Sequence, residues 1–193
     1  MNWIPVFTSL TTGLVALAGI WITQKSQQNR WYADFFLKRK IDSISDFQVA
    51  LHEYISALNN FDSSTIYSFT LKDSEREKYN LTSDEVMKKK LDFIETRLKE
   101  IKETHQNLLK SYYIASTYFT KEDEFTIDVT LNKLMPLAKS IPNLLEIKKY
   151  KEDSEVIIAI ISIVNEKIKE SKIGDTYELL REYLHPNNLR TFK

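Results

Sequence analysis

The residues able to do chemistry in this chain are few and dispersed. His52-Glu53 opens like the zinc motif HExxH, but Ser56 stands where the second histidine belongs, so two imidazoles one helical turn apart are missing. His105 falls in an apolar stripe, where an imidazole reads as a packed core residue. His185 precedes Pro186 and reads as a helix-end cap. The absence of cysteine removes thiolate zinc sites, disulfides and thiol nucleophiles. Gly13, Gly19 and Gly174 are the only glycines, too far apart to build a phosphate-cradling loop. Glu122, Asp123 and Glu124 cluster at an expected helix start, where the macrodipole accounts for them. The chain reads as a non-enzyme, with no catalytic residue, metal site or cofactor expected.

Two lysine clusters remain, Lys88-Lys89-Lys90 and Lys148-Lys149-Tyr150-Lys151. Each offers ammonium groups to a phosphate, and the second places an aromatic ring among them, a pairing suited to a nucleotide or oligonucleotide. A solvated helix face explains the same residues. Lys plus Arg and Asp plus Glu both number 27, so no overall charge draws the chain to nucleic acid.

The elements that position these residues begin with an uncharged run. No charged side chain occurs from Asn2 to Gln24, and Trp3 to Ile22 reads WIPVFTSLTTGLVALAGIWI. Twenty helical residues span about 30 Å, the thickness of a bilayer's hydrocarbon core. Trp3 and Trp21 stand at its ends, where indole rings favour the headgroup region, and Pro5 fits the first turn. Ala16-Leu17-Ala18 resembles a signal-peptidase site, but no Lys or Arg precedes the run and it continues past Ala18, so an uncleaved anchor over residues 1–24 is expected. Beyond it, Lys25, Arg30, Lys38, Arg39 and Lys40 face Asp34 alone. The positive-inside rule then places the N-terminus outside and residues 25–193 in the cytoplasm of a single-pass protein.

The anchor sorts its side chains. At helical spacing Ser9, Thr12, Ala16, Gly19 and Thr23 form a small, weakly polar face, whereas Phe7, Leu10, Leu14, Leu17 and Trp21 form a large apolar one. Lipid tails solvate all faces alike, and membrane helices associate through small residues, so the sorting predicts a homo-oligomer seam. The seam lines a water or ion path only if about four or more copies assemble. Ser and Thr hydroxyls bonding back to their own helix are the alternative.

No Gly or Pro interrupts residues 20 to 135. One helix from Ile4 to Asn60 is therefore allowed, with Ile44, Phe47, Leu51, Tyr54, Leu58 and Phe61 on one face. The polar stretch Asp62 to Asn80 reads as a loop. Thr82 and Glu85 make a capping signature, and Met87, Leu91, Ile94, Leu98, Ile101, His105, Leu108 and Tyr112 keep a heptad step. This predicts a helix of about 35 residues packed on the Ile44–Phe61 helix as a coiled coil. Shorter helices follow. Thr120 caps one carrying Phe125, Leu131 and Leu134 that Pro136 kinks or ends, and Pro142 restarts another. Ser154 caps Glu155 to Lys172, expected to be the most buried, with a strand as the alternative, and Asp175 caps Tyr177 to Leu184. The fold class is all-α.

The anchor WIPVFTSLTTGLVALAGIWI, the basic QKSQQNRWYADFFLKRK behind it and the helical body together resemble small bacterial membrane-anchored effectors of anti-phage defence, the Hailong-type membrane effector among them. The resemblance is architectural and covers the whole chain. It implies a homo-oligomeric, channel-like protein of the bacterial inner membrane, gated by a nucleotide, an oligonucleotide or a protein partner. A membrane-tethered scaffold without ion conduction is the other expectation. On either, the bilayer and a second copy of the chain are the expected partners.

Overall fold

A computed structural model describes the backbone over residues 4–69, 83–147 and 154–185, and side chains over 16–61, 85, 88, 92–143 and 158–185. The described residues are helical, without a strand. In order the helices are α1 (Ile4–Phe69), α2 (Ser83–Ala115), a 3-10 turn (Ser116–Tyr118), α3 (Lys121–Leu134), α4 (Leu137–Ile147), α5 (Ser154–Glu170) and α6 (Ile173–Leu184). The all-α expectation holds. The chain divides into two units, Met1–Asp42 and Ser43–Lys193.

The second unit is built on α1 and α2. Ile44, Phe47, Leu51, Tyr54, Leu58 and Phe61 of α1 are fully buried, and so are Leu108 and Ala115 of α2, with Ile94 and Ile101 almost so. These are the heptad positions of both stripes. Phe47 meets the Tyr112 ring at 5.4 Å, and Tyr54 meets His105 at 5.7 Å. Seven residues up α1 thus correspond to seven residues down α2, an antiparallel pairing. Each fully buried large side chain contributes about 1.5–3 kcal/mol of transfer free energy, so this seam is the main source of the unit's cohesion.

The short helices close the far side. α2 packs on α4, while α3 touches α4, α5 and α6. α3 buries Ile127, Thr130, Leu131 and Leu134, one face at helical spacing. Thr120 caps it as its sequence position predicts: its Oγ1 accepts from the Asp123 amide at 3.2 Å and donates to Asp123 Oδ2 at 2.6 Å. Phe119 joins the two ends of the unit, its ring 6.1 Å from Phe47 and 5.2 Å from Tyr183.

Several boundaries differ from the sequence reading. The loop expected from Asp62 is helical to Phe69, since no Gly or Pro interrupts it and Asp, Ser and Thr each cost a helix no more than about 0.7 kcal/mol relative to Ala; residues 70–82, with the Thr82 cap, lie outside the described residues. Pro142 does not start a helix. It lies inside α4, whose first bond runs from the Ser140 amide to the Pro136 carbonyl at 2.9 Å. α6 begins ahead of Gly174: the turn is made by Lys172 in the left-handed conformation, φ 52° and ψ 39°, and Gly174 is an ordinary helical residue. α5 is helical, not a strand, and only part of its described surface is buried. Ile160, Ile161 and Val164 face the core, while Ile158 is 57% exposed and Ile163 is also open to solvent. Of the apolar residues named for α3, Leu131 and Leu134 are buried, whereas Phe125 is 70% exposed and Ile127 takes the inward position.

Candidate functional site

Buried polar groups in the second unit serve structure. The Tyr54 hydroxyl donates to the Leu134 carbonyl at 2.8 Å, and the Ala138 amide faces the phenol oxygen itself. Burial pushes this phenol well above its ordinary range. Thr130 donates to the Ser171 carbonyl at 2.8 Å and lies 2.8 Å from the Thr176 hydroxyl, which ties α3 to the α5–α6 turn. Two further tyrosines donate to α3 carboxylates, Tyr112 to Asp128 and Tyr183 to Asp123. Burial raises both phenols, and the neighbouring carboxylates raise them further. Nothing in the sequence pattern separates these tyrosines from other half-apolar residues, so reading the chain alone missed the pairs. The partners of these groups are carboxylates, carbonyls and, for Thr130, the Thr176 hydroxyl.

His105 stacks obliquely on Tyr54, and partial burial lowers its pKa. It is a packing residue, as its place in the stripe suggests. His185 stands just beyond α6, its backbone amide bonding the Glu182 carbonyl at 3.2 Å. Among the described residues, no three His, Asp or Glu side chains gather as a metal site. A cleft of about 230 Å³ lies between α1 and α2, lined by Ser43, Asp46, Ala50, Asn107, Lys110 and Ser111. It holds one carboxylate and one ammonium group without a buried reactive group.

The first unit is different. From Ala16 to Phe36 every α1 residue is exposed, among them Leu17, Ile20, Trp21, Ile22, Trp31, Tyr32, Phe35 and Phe36. The Trp31 ring, 61% exposed, stacks on Phe35 at 5.6 Å. A large apolar surface of this kind marks an interaction site with protein or lipid. The residues of the expected seam fall here. Ala16, Gly19 and Thr23 are exposed on α1; the side chains of Ser9 and Thr12 lie outside the described residues. Thr23 Oγ1 donates to the Gly19 carbonyl at 2.8 Å, the self-bonded hydroxyl of the alternative reading. A methyl group added at Gly19 would meet nothing within 4 Å, so its own chain does not require the glycine.

Among the described residues no helix is long and apolar enough to cross a membrane. The expected span Trp3–Ile22 lies mostly on residues whose side chains are outside that description. Of the lysine clusters, Lys88 is exposed on α2. The side chains of Lys89 and Lys90, and Lys148, Lys149 and Lys151, lie outside the described residues. Comparison with protein-family models, curated proteins and solved structures finds no match to this chain.

Proposed function

We propose that this chain is a membrane-anchored, self-associating helical protein, with the run Trp3–Ile22 in the bilayer and Ser43 onward forming a cytoplasmic helical unit. The observation that carries the reading is the exposure of the large apolar side chains Leu17, Ile20, Trp21 and Ile22 on α1. Each of these four side chains is more than half exposed, and the sequence carries no charge from Asn2 to Gln24. Hydrocarbon covers such a surface on all sides at once. Self-association rests on the open space at Gly19 and on the small face that includes Ala16 and Thr23. In its fullest form the protein is an effector of bacterial antiviral defence at the inner membrane. The helical unit then holds the assembly closed until a nucleotide, oligonucleotide or partner shifts the equilibrium, and the lysine clusters are the first candidates for phosphate.

A membrane-tethered scaffold is the second reading. Tyr113, 80% exposed on α2, and Phe125 on α3 favour it, because aromatic rings open to solvent are common anchors for protein partners.

The test uses the full-length protein. It should float with phosphatidylcholine vesicles after an alkaline carbonate wash, and in mild detergent native mass spectrometry should find about four or more copies. Gly19→Leu should lower the copy number while Leu17→Ile leaves it unchanged. A chain stripped by carbonate overturns the anchor. A monomer in detergent removes the channel and leaves the tethered scaffold.

A further inference from the structure

We infer that the face of α1 just past the uncharged run is a binding site for the phosphate of an anionic phospholipid, with Lys25, Ser26, Asn29 and Arg30 as its donors. The inference rests on the membrane-anchored reading above and names the lipid class it selects.

Residues four apart are neighbours on a helix, so Lys25 with Asn29 and Ser26 with Arg30 form two rows about 100° apart around α1. They line a single shallow groove along α1, with Trp21 one turn before them. All four are exposed. The Lys25 ammonium lies over the Trp21 ring, 4.9 Å from its centroid, and so is held on the side of the uncharged run. Among the described residues no carboxylate pairs with Lys25 or Arg30, although Asp34 is one turn beyond Arg30. Two cations, a hydroxyl and an amide on one patch are donors waiting for an acceptor with several oxygens. A phosphodiester is that acceptor.

Position along the axis selects the bilayer as the source of that phosphate. With Trp21 at the edge of the hydrocarbon, Lys25 stands about 6 Å and Arg30 about 14 Å further on. The headgroup zone is about 5–8 Å deep on each side of the core. Lys25 therefore stands within it, and the Arg30 side chain, leaning toward the helix N-terminus, reaches back to its border. Trp31 to Phe36 start about 15 Å out and lie beyond it. The headgroup surface thus meets the polar groove, not the aromatic cluster. Selection of a net negative headgroup follows from charge: two adjacent cations repel a choline but not a glycerol. Each Lys or Arg near an anionic surface strengthens binding about fivefold, so the pair should favour an anionic lipid by about ten- to thirtyfold.

The experiment titrates the full-length protein in mild detergent with phosphatidylglycerol and phosphatidylcholine in equal amounts and reads bound lipid by native mass spectrometry. The expected result is a preference for phosphatidylglycerol of about tenfold or more. Lys25→Gln with Arg30→Gln should abolish it. Lys25→Arg with Arg30→Lys should keep it, and so should Lys99→Gln with Lys102→Gln on α2. Millimolar inorganic phosphate should not displace the lipid. Equal binding of the two lipids, a preference unchanged in the glutamine pair, or displacement by free phosphate overturns the site. Carbonate-resistant flotation on phosphatidylcholine vesicles separates the two failures: a protein that floats but shows no lipid preference loses only this site, whereas one that does not float loses the anchor and the site together.

Discussion

The hydroxyl of Tyr54 donates 2.8 Å to the carbonyl of Leu134, eighty residues along the chain and at the end of a different helix. That carbonyl is one of those left without a partner when α3 stops before Pro136. The Ala138 amide, which faces the Tyr54 phenol oxygen, is an orphan of the next helix's first turn. One phenol therefore serves both sides of the break. Tyr54→Phe should destabilise the full-length protein by about 1–2 kcal/mol, because the ring still fills its place while buried polar groups lose their partner. Thermal unfolding followed by circular dichroism checks this, and a Tm equal to wild type would refute the assignment.

The seam between α1 and α2 makes a sharper contrast. Leu108 is fully buried on α2, whereas Tyr113, one and a half turns further, is 80% exposed. Leu108→Ala should cost about 2–5 kcal/mol, and Tyr113→Ala should stay within about 0.5 kcal/mol of wild type. The same thermal measurement, made on both variants, decides it.

The difference between those two residues is legible in the sequence, since Leu108 sits on the heptad step from Met87 and Tyr113 does not. Capping by Thr120 was legible for a similar reason, a local hydroxyl three residues ahead of Asp123. Three things were not. The left-handed turn at Lys172 carries no sequence mark, because the residue type that takes this conformation freely, Gly174, stands two residues on inside α6. Pro142 misled because a proline's fixed φ suits a helix even where its missing amide costs a bond. The exposed isoleucines of α5 escaped because an unbroken run of Ile and Val has no period from which to read an inner and an outer face. At the candidate site, the cationic and small residues of α1 could be placed on faces by spacing alone, but the exposure of Trp31 and Phe35 needed the structure.

Acid should weaken the helical unit through His105. Partial burial lowers its folded-state pKa below the ordinary 6.5, so the unfolded chain takes up its proton first. Stability is full above pH 6.5 and falls as pH drops from there through the folded-state value. His105→Gln should flatten that limb in a series of melts at decreasing pH, and an unchanged slope would assign it to other groups.

Alkali should act through the tyrosines. Tyr54 and Tyr112 both have pKa values raised by burial, so the unfolded chain ionises near pH 10 while the folded one does not. Their contribution is complete below pH 10 and is lost as pH rises toward the folded values. Tyr112→Phe should lose stability at neutral pH yet shed less of it between pH 9 and about 11, as base-induced unfolding would record.

Lys172 holds φ 52°, a conformation that costs an L-residue about 1 kcal/mol and glycine nothing. Lys172→Gly should raise stability by up to that amount, and Lys172→Val should lower it. Comparing the two melts separates backbone strain from loss of the side chain.

The antiparallel register of α1 and α2 also bears on how the protein is made. Synthesis begins at the N-terminus, so the stripe from Ile44 to Phe61 leaves the ribosome before any of its partners exists. Ile94 to Ala115 follow about 3–10 s later at ordinary elongation rates. Throughout that interval a fully apolar stripe stands in water on the nascent chain, available to a holding chaperone or to the same stripe on the next polypeptide of a polysome. The order in which the two halves of the hairpin are translated thus sets a competition between folding within one chain and pairing between chains.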